Sequence, residues 1–122
     1  MPFPIVFGIP EYTPTADLIE LRRSIVASLA EALGCDASWI RPLFPRDLLP
    51  DALTAADGGE TIYVRLDTAM FNGKEADDES VPLGVISTLA RVVWNAFGGA
   101  YEVKVFVGDL NPSWKILIKA KS

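Results

Sequence analysis

Strand, helix and strand follow one another twice along this chain of 122 residues, and that doubled order leaves few folds open. In the first half, Ile5 to Ile9 is a short apolar run punctuated by Gly8 and Pro10, as a buried strand requires. A turn follows over Pro10-Glu11-Tyr12-Thr13-Pro14. Thr15 then stands where an N-cap belongs, Asp17 lies in the first turn, and Leu18, Leu21, Ile25, Leu29 and Leu33 recur at three- and four-residue steps. Gly34 is placed to stop this helix. Ser38 to Phe44 predicts a second strand, with Pro42 marking an edge or an irregularity because it cannot donate to a ladder. From Pro45 to Glu60 no period is visible, which predicts a loop with at most one helical turn near Ala52.

The second half repeats the order. Thr61 to Leu66 is rich in β-branched and aromatic residues and predicts a strand. The acidic stretch from Lys74 to Ser80 separates it from a helix beginning near Pro82, where proline suits a first turn. Val85, Ile86, Leu89, Val92, Val93 and Phe97 supply the buried face, and Gly98-Gly99 closes the helix. Glu102 to Val107 then alternates as a strand. Placing Gly34 on Gly98 sets Trp39-Ile40-Arg41 against Val103-Lys104-Val105, so one domain is expected, with a pseudo-repeat over 1–45 and 60–110 and an extension over 111–122.

Two β-α-β units in tandem predict an α+β fold, a four-stranded sheet with both helices on one face. The other face, bearing Phe7, Phe44, Tyr63 and Phe106, then needs a cover that a chain of this length does not supply. Burial through self-association is expected, and three sheets closing round an axis, a homotrimer, would achieve it.

Composition removes several kinds of chemistry. The chain has no histidine and a single cysteine, Cys35, so the commonest metal ligand and every histidine-based nucleophile are missing. No metal or other cofactor is expected. A formal charge of −5 argues against nucleic acid and anionic membranes as partners. With no 18-residue apolar stretch and no basic-then-apolar leader, a soluble cytoplasmic protein is expected.

Pro2 is the residue with the most chemical promise. If Met1 is removed, its nitrogen becomes a secondary amine, and an α-amino group titrates at about 8, low enough to serve as a base near neutrality. With Met1 in place the same nitrogen is an unreactive amide, and Pro2 is then a rigid terminal residue without chemistry. Arg65 and Lys104 fall at strand positions that can face a pocket, and equally suit surface or interface charges. Tyr12, Tyr63 and Phe106 can wall a pocket or simply pack. Cys35, without a histidine partner, reads as inert, and Glu75-Ala76-Asp77-Asp78-Glu79 reads as a solvated loop because it lacks the glycine and spaced ligands of a calcium site.

The Met1-Pro2 start, the doubled β-α-β order and the segment Gly34-Cys35-Asp36-Ala37-Ser38-Trp39-Ile40-Arg41 resemble the tautomerase superfamily. That group includes 4-oxalocrotonate tautomerase (4-OT), 5-carboxymethyl-2-hydroxymuconate isomerase and macrophage migration inhibitory factor. Gly108 to Trp114 resembles the segment after the last long strand of the longer, doubled members, and the likeness is greatest to small doubled bacterial proteins of unassigned activity. The resemblance implies an isomerase in which Pro2 is the catalytic base for 1,3-keto-enol proton transfer on a small carbonyl acid. It also implies that Arg41 binds the substrate carboxylate, with Arg65, Lys104, Tyr12 and Phe106 as further binding candidates. An ion-paired or solvated strand cation is the plain alternative for Arg41. The chain departs from the family's shortest enzyme by carrying Glu11 and Tyr12 where a second arginine follows strand one, which weighs against dicarboxylate substrates. Two other readings stay open: a catalytically silent trimer used for assembly or small-molecule binding, and a monomeric ferredoxin-like regulatory domain.

Overall fold

The computed structural model describes residues 2–46, 61–68, 80–109 and 118–120. The first strand, β1 (Phe3–Phe7), buries Pro4 and Val6, leaves Phe3 and Ile5 half-buried and exposes Phe7, the period-two signature of a strand with one dry face. It ends at Gly8, whose φ of 86° is a left-handed conformation, and a Cβ there would come within 3.1 Å of the Thr61 carbonyl oxygen. The strand therefore starts and ends two residues earlier than the apolar run suggests.

Helix α1 (Thr15–Leu33) buries Leu21, Ile25 and Leu29 from the expected stripe. Its N-cap is Pro14 rather than Thr15. The proline ring holds φ at −60° with an extended ψ of 145°, no side chain caps the turn, and the Pro14 carbonyl accepts from the Asp17 and Leu18 amides. At the other end Gly34 adopts φ 65°, and the Gly34 and Cys35 amides both donate to the Ala30 carbonyl. Strand β2 (Thr61–Thr68), helix α2 (Ser80–Ala96) and strand β3 (Glu102–Asp109) follow, with β2 and β3 each reaching two residues beyond the expected Leu66 and Val107. Gly98 and Gly99 both take positive φ after α2.

β2 lies at the centre of the ladder, antiparallel to β1 and parallel to β3. The strand expected over Ser38–Phe44 differs. Its beginning is a single 3₁₀ turn, Ala37–Trp39, in which the Asp36 carboxylate accepts from the Ser38 amide at 2.8 Å. The chain then runs parallel to the outer edge of β1: Leu43 N–H donates to the Pro4 carbonyl and Val6 N–H to the Leu43 carbonyl, both at 2.9 Å, and Arg41 N–H donates to the Pro2 carbonyl at 3.2 Å. A complete rung between Phe3 and Arg41 would need an N–H from Pro4, and proline has none. The fourth strand is thus cut to one bridge by a proline on its partner, while Pro42 turns its missing donor outward.

The core lies between sheet and helices. Val6, Ile62, Val64 and Leu66 meet Leu21, Ile25, Leu29, Val85, Leu89 and Val93, with Ile40 beneath the return segment. Phe44 packs against this core too, so it does not belong to the open face where the sequence put it. Most of the segment expected as a loop over Pro45–Glu60, the acidic stretch up to Glu79, residues 110–117, 121 and 122, and Met1 lie outside the described residues. Among the described residues no helix is long and apolar enough to cross a membrane.

The Asp36 carboxyl is held below its ordinary value, first by the Ser38 backbone N–H and then by the Ser38 side chain. A depressed folded-state value means the stabilisation is present above the unfolded carboxyl range and is lost as pH falls through the folded one. Asp36→Ala should therefore lower the urea midpoint at neutral pH, and the two midpoints should converge on acidification. A difference independent of pH would contradict this capping role.

Candidate functional site

The strand register sorts side chains into rows across the face away from the helices. Ile5, Arg65 and Phe106 form one row, reaching Leu43 at the edge; Phe3, Asp67 and Gly108 form the next, with Arg41 beside Phe3; Phe7, Tyr63 and Lys104 form a third. Pro2 leads into β1 at the end of the second row. It is fully buried, and its carbonyl is fixed by the Arg41 amide.

One ion pair dominates this end of the sheet. Arg65 donates to one oxygen of Asp67 from Nη2 at 2.7 Å and from Nε at 3.1 Å, an i, i+2 contact that a strand allows because alternate residues share a face. Asp67 is 7% exposed, and the Arg65 guanidinium remains open to solvent. The hydrogen bond to Asp67, and then its charge, raises the Arg65 pKa further above its usual value, so this cation is fixed at every working pH. The seat for the carboxylate is Gly108: a Cβ there would collide with the Asp67 Oδ1 atom.

The other expected residues divide between two places. Lys104 Nζ sits 5.9 Å from the centre of the Tyr63 ring, a cation–π approach one row from Arg65. Phe106 is exposed beside Arg65 in register. Arg41, Arg65, Lys104 and Phe106 thus share the open face, with Arg41 at the start of β1, Arg65 and Phe106 level with its middle and Lys104 level with its end at Phe7. Tyr12 does not: it lies past the opposite end of β1, roughly 16 Å of strand from Pro2, and shares a hydroxyl–hydroxyl hydrogen bond of 2.9 Å with Tyr101. Within one chain it belongs to a separate cleft of about 280 Å³ between the start of α1 and the end of α2.

Asp67 is the site residue that sequence reasoning overlooked. The available signal was Arg65-x-Asp67 inside a strand, which places opposite charges on one face, opposite a glycine in the parallel neighbour.

No family model matches the chain, and no curated protein is detectably similar to it. Solved structures are. A fused 4-OT wild-type symmetric trimer aligns with a TM-score of 0.71 at 17% identity, covering 98% of this chain and 94% of that one. Macrophage migration inhibitory factor from Toxoplasma gondii aligns at 0.65 with 15% identity over 93% and 95% of the two chains. A third, Pt0534 inactivated by 2-oxo-3-pentynoate, aligns at 0.66 with 15% identity over 88% and 85%. The two-helix, open-faced sheet is therefore the fold seen in these 4-OT and macrophage migration inhibitory factor structures.

Gly108→Ala should force the Asp67 carboxylate off its seat. The expected result is loss of the protected Arg65 Nε–H resonance in ¹⁵N NMR and a stability cost of about 1–3 kcal/mol, the usual range for overpacking a tight site. Retention of that resonance at wild-type stability would show that the glycine does not hold the pair.

Proposed function

We propose that the protein is a tautomerase in which the processed N-terminal nitrogen of Pro2 transfers a proton next to a carbonyl group. The observation that carries this reading is the clustering of Arg41 and the Arg65–Asp67 pair around the start of β1, in a chain that folds like 4-OT and macrophage migration inhibitory factor. An amine taken out of water, as the buried Pro2 ring would hold it, loses part of its protonated form, because burial disfavours the cation. It then takes a proton from the carbon next to the carbonyl and returns it at the conjugated position. Arg41 binds the substrate carboxylate and stabilises charge building on the enolate oxygen.

Arg65 limits the substrate. Its guanidinium is already neutralised by Asp67, so among the described residues at the start of β1 Arg41, whose backbone amide donates to the Pro2 carbonyl, is the cation left for an anionic group. That balance favours a monocarboxylic 2-oxo acid over a dicarboxylate. We further propose a homotrimer, in which neighbouring copies cover Phe7, Tyr63 and Phe106 on the open face; these residues are 39%, 45% and 55% exposed in the single chain. The fused 4-OT structures described as trimers support that assembly.

Two observations favour a second reading, a silent scaffold of the same shape. The Pro2 ring is fully buried, and Arg65 is satisfied internally. Protein made without an N-terminal tag separates the two. If Pro2 is the base, intact-mass analysis shows Met1 removed and one 2-oxo-3-pentynoate adduct per chain, and enol-to-keto turnover of phenylpyruvate proceeds. Pro2→Ala should abolish the adduct and lower kcat/KM by a factor on the order of 10²–10⁴, the usual contribution of a positioned base. A retained Met1, or turnover unchanged in Pro2→Ala, would leave only the scaffold.

A further inference from the structure

Tyr12 leads to a cavity with its own chemistry, on the helix side of the molecule and away from Pro2. The cleft of about 280 Å³ is bordered by the β1–α1 turn at Pro10, Tyr12 and Pro14, by the first turns of α1 at Asp17 and Leu21, and by Phe97 and Tyr101 after α2. Phe97 and Tyr101 stand nearly perpendicular, at 81° with ring centres 5.6 Å apart, so the two rings form a corner rather than a stack. Tyr12, itself 77% exposed, reaches Tyr101 through the shared hydroxyl hydrogen bond of 2.9 Å, which sets a third ring beside that corner.

Among the residues lining the cleft, Asp17 is the one that carries charge, and none is basic. Three aromatic rings line the cleft, and a carboxylate beside them gives it a negative potential. The start of α1 would by itself favour an anion. Asp17 already occupies that first turn, however, and an incoming anion would meet its carboxylate at close range. The volume admits a trimethylammonium group with a short chain and excludes anything as large as a dinucleotide.

We propose that this cleft is a second ligand site, for a small organic ammonium ion of the quaternary or methylated-amine class. The aromatic corner supplies cation–π attraction, Leu21 supplies an apolar floor, and Asp17 supplies the counter-charge. The site is independent of proton transfer at Pro2 and would exist on a silent scaffold as well as on an enzyme.

The experiment is a titration of the full chain with choline and tetramethylammonium, read by ¹³C-resolved aromatic NMR of Tyr12, Phe97 and Tyr101. Saturable shifts confined to these rings are expected, with 3,3-dimethylbutan-1-ol, the uncharged analogue of choline, binding at least tenfold more weakly. Asp17→Asn, an exposed position that leaves packing intact, should weaken choline about three- to tenfold. Tyr101→Leu, which keeps apolar bulk but removes the ring, should weaken it at least as much. Equal binding of the neutral analogue, insensitivity to Asp17→Asn, a preference for inorganic phosphate, or no saturable shift on these rings would each overturn the assignment.

Discussion

Strand β2 carries opposed chemistry on its two faces, and the rest of the molecule is arranged around that fact. Ile62, Val64, Leu66 and Thr68 are buried beneath the helices, while Tyr63, Arg65 and Asp67 face away from them. A slip of one residue would exchange the two sets and drive a guanidinium into the core, at a cost of several kcal/mol for an unpaired buried charge. Register is therefore fixed strongly, and with it every cross-strand neighbour of the candidate site. The rows containing Phe3 and Asp67, or Ile5 and Arg65, are consequences of hydrophobic alternation as much as of function.

Proline shapes the other side of the sheet. Pro2 and Pro4 turn their carbonyls to the return segment and offer it no N–H, so Arg41 and Leu43 can donate while only Val6 donates back. The segment carrying Arg41 is consequently tethered by few bonds, and its path depends on the Asp36 turn that precedes it. This links an exposed cap to the position of a side chain proposed to meet substrate. It also leaves the outer edge of the sheet short and irregular, the usual protection against unwanted strand pairing in a single chain.

Much of the architecture could be read from residue spacing because it rests on local periodicity. Leu21, Ile25 and Leu29 announce α1, Val85, Leu89 and Val93 announce α2, and the glycines after each helix mark where the chain turns. What could not be read depended on partners distant in sequence. The shortening of the Ser38–Phe44 strand arises from Pro4, some forty residues earlier, and the N-cap moved to Pro14 because backbone geometry outranked the hydroxyl of Thr15. Phe44 has the composition of an open-face residue and packs inward. Tyr12 sits in a turn, where no periodicity assigns a direction, and only the fold reveals Tyr101 as its neighbour. Asp67 escaped notice because one carboxylate in a strand is ordinary until Arg65 and Gly108 are seen around it.

The proposed chemistry then reduces to one ring nitrogen and the charges around it. The Arg41 backbone amide donates to the Pro2 carbonyl, Arg65 is paired with Asp67, and the ring of Pro2 is buried. Such surroundings favour a neutral amine over its protonated form. A ¹⁵N NMR titration of proline-labelled, untagged protein tests this most directly. The account predicts a Pro2 nitrogen that titrates as an amine below the ordinary α-amino value of about 8. A nitrogen resonating as an amide at every pH, or titrating at or above that value, would contradict it.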